Sequence, residues 1–195
     1  MTAPAAAPLL ASDRHPAWWP ADLIIAIHVE LARLLPDDMA RVLYRLGRRT
    51  GARFLQAHHV TAAADTAVLP VASGGLLREC DEWFADAGWG RFDVVRLGSV
   101  LVVNHYDSPV ATALRSLRPA NGPVDDFFAG LFAEVLTQAH GQALEGVEIS
   151  CLAAQAHYCR FVVGEASIIR KVYAWLTYHL DAQAILKRLA DEAVL

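Results

Sequence analysis

The chain has 195 residues and a mass of 21.2 kDa, a length that suits one domain with a substantial core and leaves little room for a second. Apolar residues make up 55% and charged residues 19%, an excess that an interior or an association surface has to absorb, so a homo-oligomer is expected. A formal charge of −4 and no Lys/Arg cluster beyond "RLGRRTGAR" argue against nucleic acid as a partner; without a secretory leader or an uninterrupted apolar run of ~18 residues, the expectation is a soluble, cytoplasmic chain with no membrane insertion.

Residues 1–20 are rich in alanine and proline and read as a loosely ordered segment, with Trp18 and Trp19 docking its end onto a single domain over 21–195. "ADLIIAIHVELARLL" repeats apolar residues at helical spacing and stops before Pro36. A second helix follows, with Pro36 in its first turn, Asp37 and Asp38 at the positive end of its dipole, and Val42, Leu46, Phe54 and Leu55 on its apolar side. Gly47 and Gly51 share one face of it and would let another backbone come close. "SGGLLRECDEWFADAG" is amphipathic, with Leu76, Leu77, Cys80, Trp83 and Phe84 inward and Gly88 placed to end it.

The period then changes to two. "RFDVVRL" and "VLVVNHY", separated by Gly98 and Ser99, predict a β-hairpin. After a loop with room for a helical turn, "VDDFFAGLFAEVLTQAHG" places Phe127, Phe128, Leu131, Phe132, Val135 and Leu136 on a broad helix face that Gly141 ends. "GVEISCLAAQAHYCRFVV" supplies another pair of strands, and Ser167 to Leu195 reads as one long C-terminal helix whose exposed side, with Tyr173, Trp175 and Tyr178, offers a surface for a protein partner. Helices, hairpin, helix, hairpin, helix make an α+β domain, an antiparallel sheet with helices packed on it.

"GWGRFD" carries only the first part of a dinucleotide fingerprint and lies between a helix and a strand, whereas a pyrophosphate cradle needs strand, turn, helix; no nucleotide cofactor is expected. No G-x-S-x-G, Walker loop or H-E-x-x-H occurs, no acid/base pair stands out, and catalysis is not the favoured reading. His58 and His59, at a helix end, suit the capping of terminal carbonyls better than a catalytic role. The more specific pattern joins Glu148 to Cys151 and Cys159, on a hairpin that can bring the second thiol opposite the first. On spacing alone the thiols are either buried structural residues or, with the carboxylate, three of the four ligands that a closed zinc site requires.

"RVLYRLGRRTGARFLQAH", "WFADAGWGRFDVVRLGSVLVVNHYDSP", "VDDFFAGLFAEVL" and "VEISCLAAQAHYCRFVV" together resemble the 4-vinyl reductase domain family, over roughly residues 37 to 164, with Glu148, Cys151, Cys159, Arg160 and Phe161 as the most specific part. The resemblance implies an α+β fold like that of transport-particle (TRAPP) subunits, a dimer, and a domain that binds a hydrophobic small molecule, aromatic or tetrapyrrole-like, as carrier or sensor. It also implies a structural zinc ion held by Glu148, Cys151 and Cys159, with Asp125 standing where the family has a further cysteine and Gln155 where it commonly has glycine. Candidates to line the ligand pocket are Trp83, Trp89, Phe92, Tyr106, Phe128 and Phe132, with His105 as polar contact; plain core packing is the competing account of the aromatics. "LGRRTGARF", "GWGRFDVVRL" and "FFAGLFAEVLTQAHG" are also similar to the accessory D subunit of bacterial cellulose synthase, which implies instead an oligomeric scaffold for polysaccharide secretion.

Overall fold

A computed structural model describes residues 21–57, 74–117, 120 and 122–192; the N-terminal segment with Trp18 and Trp19, and the His58-His59 pair, lie outside the described residues. Helix α1 (Ala21–Leu34) stops where expected, because Pro36 disfavours a helical conformation for Leu35. Helix α2 (Met39–Ala57) begins three residues later than Pro36, which belongs to the intervening turn and not to the first helical turn. Its Gly47 and Gly51 meet helix α5 (Asp126–His140): a Cβ on Gly47 would sit 1.9 Å from the Phe127 carbonyl oxygen, and one on Gly130 would sit 2.0 Å from that of Tyr44. The two backbones therefore cross at a distance that only glycine allows on either side.

Helix α3 (Gly74–Asp86) runs into the hairpin of β1 (Arg91–Leu97) and β2 (Val100–Tyr106), in which Leu97 pairs with Val100 across Gly98 and Ser99. The loop that follows holds a two-turn helix, α4 (Pro109–Leu117), before α5 and the second hairpin, β3 (Glu145–Ser150) and β4 (Cys159–Gly164). The hairpins join through β2 and β4 into a four-stranded antiparallel sheet of order β1-β2-β4-β3. This is the expected α+β domain.

Strand periodicity divides the sheet between two cores. Leu101, Val103, Phe161 and Val163 face α2 and α5, while Val100, Val147, Ile149 and Val162 face the C-terminal helices through Ile169, Val172, Ile185 and Leu189. The C-terminal segment is two helices, α6 (Ala166–Thr177) and α7 (Ala182–Glu192), where the sequence predicts one. His179 turns left-handed at φ 58°, its N–H bonds to the Leu176 carbonyl at 2.9 Å and that of Leu180 to Trp175 at 3.0 Å, closing α6 in a Schellman arrangement. Asp181 then caps α7, its Oδ1 accepting from the Ala184 N–H at 2.8 Å. A histidine in the position usually given to glycine hides this stop from a reading of the sequence.

Candidate functional site

Glu148 and Cys151 are three residues apart, and in a regular strand they would point to opposite faces. The pairing of β3 with β4 slips between Glu148 and Ser150, and this bulge inserts the residue needed to turn both toward the α5 side. Cys159 opens β4 opposite His105 of β2. The loop between the cysteines is held by a short 3-10 turn (Leu152–Ala154), and the Cys151 carbonyl accepts from the N–H groups of Ala154 and Ala156 at 3.0 and 3.1 Å. Gln155 follows at φ 69°, in the left-handed region, which explains why glycine suits this position.

One carboxylate oxygen of Glu148 and the sulfurs of Cys151 and Cys159 all lie within 4.8 Å of one another, and all three residues are buried. The Cys159 thiol donates to the Cys151 sulfur at 3.8 Å and accepts from the Leu152 N–H at 3.4 Å. Glu148 Oε2 accepts from the N–H groups of Val124 and Asp125, at 2.7 and 2.8 Å, whereas its Oε1 is buried without a partner among the described residues. Asp125 stands beside this trio without joining it. Its Oδ2 accepts from the Ser108 hydroxyl at 2.9 Å and its Oδ1 from the Phe128 N–H at 3.4 Å, as the cap of α5. Ser108, which the sequence reading missed, is fully buried and has no motif that would have marked it.

Burial raises the Asp125 carboxyl to about 8 and the Glu148 carboxyl well above its usual range, with the nearby Cys151 sulfur adding to both. The thiols part: the hydrogen bond from Cys159 lowers Cys151 to about 6, and the same bond, followed by burial, pushes Cys159 far up. Asp125, Glu148 and Cys159 thus hold protons they would release to a cation, while Cys151 is already disposed to lose its own. Two thiolates and a carboxylate are donors that suit zinc, and the unpartnered Oε1 of Glu148 gives it a free lone pair, so the residues present fit such an ion.

The same inner face carries the aromatic residues. Phe92, His105 and Cys159 lie in one row across β1, β2 and β4, which places the ring cluster directly beside the sulfur pair. The His105 ring is ringed by Phe128 at 4.4 Å, Phe132 at 5.5 Å, Phe84 at 6.2 Å and Phe161 at 6.3 Å between centroids. Trp89 packs on Phe84 and Phe128, and Phe92 on Phe132, so the cluster is closely filled in this conformation. Phe84 and Phe161 complete it, although the sequence reading placed neither in the pocket; the inward position of Phe84 on α3 was the available signal.

His105 Nε2 lies 2.7 Å from the Trp89 carbonyl, which can only accept, so this nitrogen carries the proton. Nδ1 is then a bare acceptor without a partner among the described residues, and burial, pushing the ring down to about 4, keeps it neutral. Trp83 is half-buried at the margin against Phe54, at 4.5 Å. Tyr106 is not with the others: it follows His105 on β2, faces the opposite side of the sheet and bonds to Asp93 Oδ2 at 2.6 Å.

No protein-family model matches the chain, and no curated protein matches it by sequence. Among solved structures it is similar to the phenol-responsive sensory domain of the transcription activator PoxR, crystallised with phenol, at a TM-score of 0.59 and 16% identity over 74% of each chain. The chain shares the fold of that sensory domain. Similar structures also include a vinyl-4-reductase family protein from Methanocaldococcus jannaschii, TM-score 0.49 and 16% identity over 75% of this chain and 88% of that one. A third is trafficking protein particle complex subunit 3 from Naegleria fowleri, covalently bound to palmitic acid, TM-score 0.45 and 11% identity over 74% and 93%.

Proposed function

We propose that this chain is a non-catalytic sensor or carrier domain for a hydroxylated aromatic molecule, bound within the ring cluster around His105. The observation that carries this reading is a bare acceptor, His105 Nδ1, held neutral and fixed in tautomer at the centre of an aromatic enclosure. A phenolic hydroxyl donates to such an atom while its ring is taken up by aromatic side chains; burying the nitrogen without a donor is costly. The shared fold with a phenol-responsive domain supports the same ligand class. Because the rings are already in contact, binding requires the cluster to open, which couples occupancy to the position of α3 and α5.

The Glu148, Cys151 and Cys159 donors, with Asp125 released from its capping bonds as a fourth, would hold a zinc ion that supplies charge neutralisation and ties β3 and β4 to the start of α5. No membrane-crossing helix is found among the described residues. Leu23, Val29, Leu34 and Leu35 of α1 and its flank are 42 to 59% exposed, an apolar surface that favours association into a dimer of cytoplasmic chains. Of the expected partner surface on the C-terminal helices, Tyr173 and Tyr178 are exposed, whereas Trp175 is half-buried beneath Arg188 at 5.5 Å.

Titration of the whole protein with phenol, followed by tryptophan fluorescence and thermal shift, tests the ligand reading. Saturable binding that His105→Leu weakens by about tenfold or more, the worth of one good hydrogen bond in a closed site, is the expected outcome. Absence of saturation, or equal affinity in the variant, overturns it.

A further inference from the structure

The outer face of the sheet is covered only in part. Helices α6 and α7 pack over β3 and β4, and on β1 and β2 the outward residues Asp93, Val95 and Tyr106 are exposed. At the step between the covered and open halves lies a groove of about 620 Å³, lined by Arg160 of β4 and by Asp181, Gln183, Ala184, Leu186 and Lys187 at the start of α7.

Arg160 is held in position there. Its Nε–H donates to Asn104 Oδ1 at 2.9 Å, Asn104 Nδ2 donates in turn to Asp93 Oδ1 at 2.8 Å, and the three residues lie in one line across β4, β2 and β1. The guanidinium also stacks over the Tyr158 ring at 4.9 Å and bonds to its hydroxyl through Nη2. All these partners are neutral where they touch it. Among the described residues no carboxylate is within ion-pair reach of Arg160, and Nη1 has no partner.

A cation fixed by neutral anchors has already lost the rotamer freedom that binding would otherwise cost, and the planar guanidinium can address two oxygens of one acid group at once. The second cation of the groove, Lys187, is 80% exposed and only loosely paired with Asp191 at 3.5 Å. The one carboxylate in the lining, Asp181, has its Oδ1 committed to the Ala184 N–H.

We infer that this groove is an oxyanion-binding site, in which Arg160 and Lys187 take a carboxylate or phosphate group carried by a ligand. It lies on the opposite face of the sheet from His105 and does not depend on the aromatic reading. Acetate and inorganic phosphate, neither of which suits the aromatic cluster, are the probes. Each is titrated into the full chain while NMR follows the Arg160 Nε–H and the Ala184 amide, with sodium chloride as the ionic-strength control.

Saturable shifts at both positions are expected. Saturation by acetate alone identifies a carboxylate site, by phosphate alone a phosphate site, and by both a general oxyanion site. Arg160→Lys, which keeps the charge and loses the fork, should weaken binding about tenfold, ~1.4 kcal/mol. Lys187→Glu, at an exposed position that cannot disturb the fold, should weaken it at least as much. Shifts that follow the chloride control for both probes, or an affinity unchanged in Lys187→Glu and Arg160→Lys, overturn the site.

Discussion

The two faces of β1, β2 and β4 carry neighbouring residues with opposite fates. Inward, Phe92, His105 and Cys159 form a row from which water is excluded and in which polar atoms are left bare or shared between acids. Outward, one residue along each strand, Asp93, Asn104 and Arg160 form a row of satisfied hydrogen bonds at the protein surface. The lesson is that a polar residue in a signature motif has no fixed role. Cys159 and Arg160 are adjacent in the chain, yet one belongs to a buried donor cluster and the other to a solvent-facing groove.

The sharpest way to break the comparison is to truncate one ring on each face. Phe128→Ala should cost roughly 3 to 5 kcal/mol in urea denaturation, through lost burial and a residual cavity, whereas Tyr106→Ala, on the open face, should cost less than about 1 kcal/mol. Equal costs would mean that the faces do not differ in packing as described.

Metal is the next largest lever. Protein purified without added zinc should carry the ion in stoichiometric amount by elemental analysis, and chelation should lower stability by about 4 kcal/mol relative to free zinc a thousandfold above its dissociation constant. Cys151→Ser should abolish both effects. A metal-free native protein whose stability this substitution leaves unchanged would remove the ion from the inner face.

Acid should act on the inner side of the molecule through histidine. Burial lowers both His28 and His105 from 6.5 to about 4, so the unfolded chain binds more protons between those values. The contribution of these two histidines is therefore fully present above pH 6.5 and is lost as the pH falls through this window toward about 4, by roughly 3 kcal/mol for each group, while the raised Asp125 and Glu148 carboxyls act in the opposite sense. In denaturation curves, His28→Gln should remove one histidine's share, about half of the histidine contribution, so that stability relative to the parent chain rises by roughly 3 kcal/mol between pH 7 and 4; an unaltered pH dependence would mean that His28 is not buried neutral.

The smallest expected effect concerns the loop that brings the inner cysteines together. Gln155→Gly relieves a side chain at φ 69° and should stabilise by about 1 kcal/mol, less the entropy that glycine adds to the unfolded chain. A destabilised variant would indicate that the Gln155 side chain makes contacts that matter more than its backbone strain.

Much of the fold was legible because its signals are local. The alternation in "RFDVVRL" and "VLVVNHY", the Gly98-Ser99 turn and the Gly141 stop after α5 each act within a few residues. The cluster of Glu148, Cys151 and Cys159 was legible as a set of residue types but not as a place. Its assembly depends on a bulge that no residue in "VEISC" announces and on a pairing with β4. The split of the C-terminal helix was missed because His179 adopts a conformation that its side chain does not advertise. Tyr106 was grouped with the inner aromatics because composition does not reveal which face a ring takes; alternation from the buried His105 sends it outward.

By itself the sequence determined the element types, their order, the α+β class and the close approach at Gly47, since periodicity, caps and small residues act through neighbouring backbone. Only the tertiary structure decided which residues meet: Asp125 beside Glu148, His105 beneath the rings of α3 and α5, and Arg160 at the edge of α7. These are encounters between segments brought together across the sheet, and they follow from strand register and the burial of two separate cores, neither of which is written in any one stretch of chain.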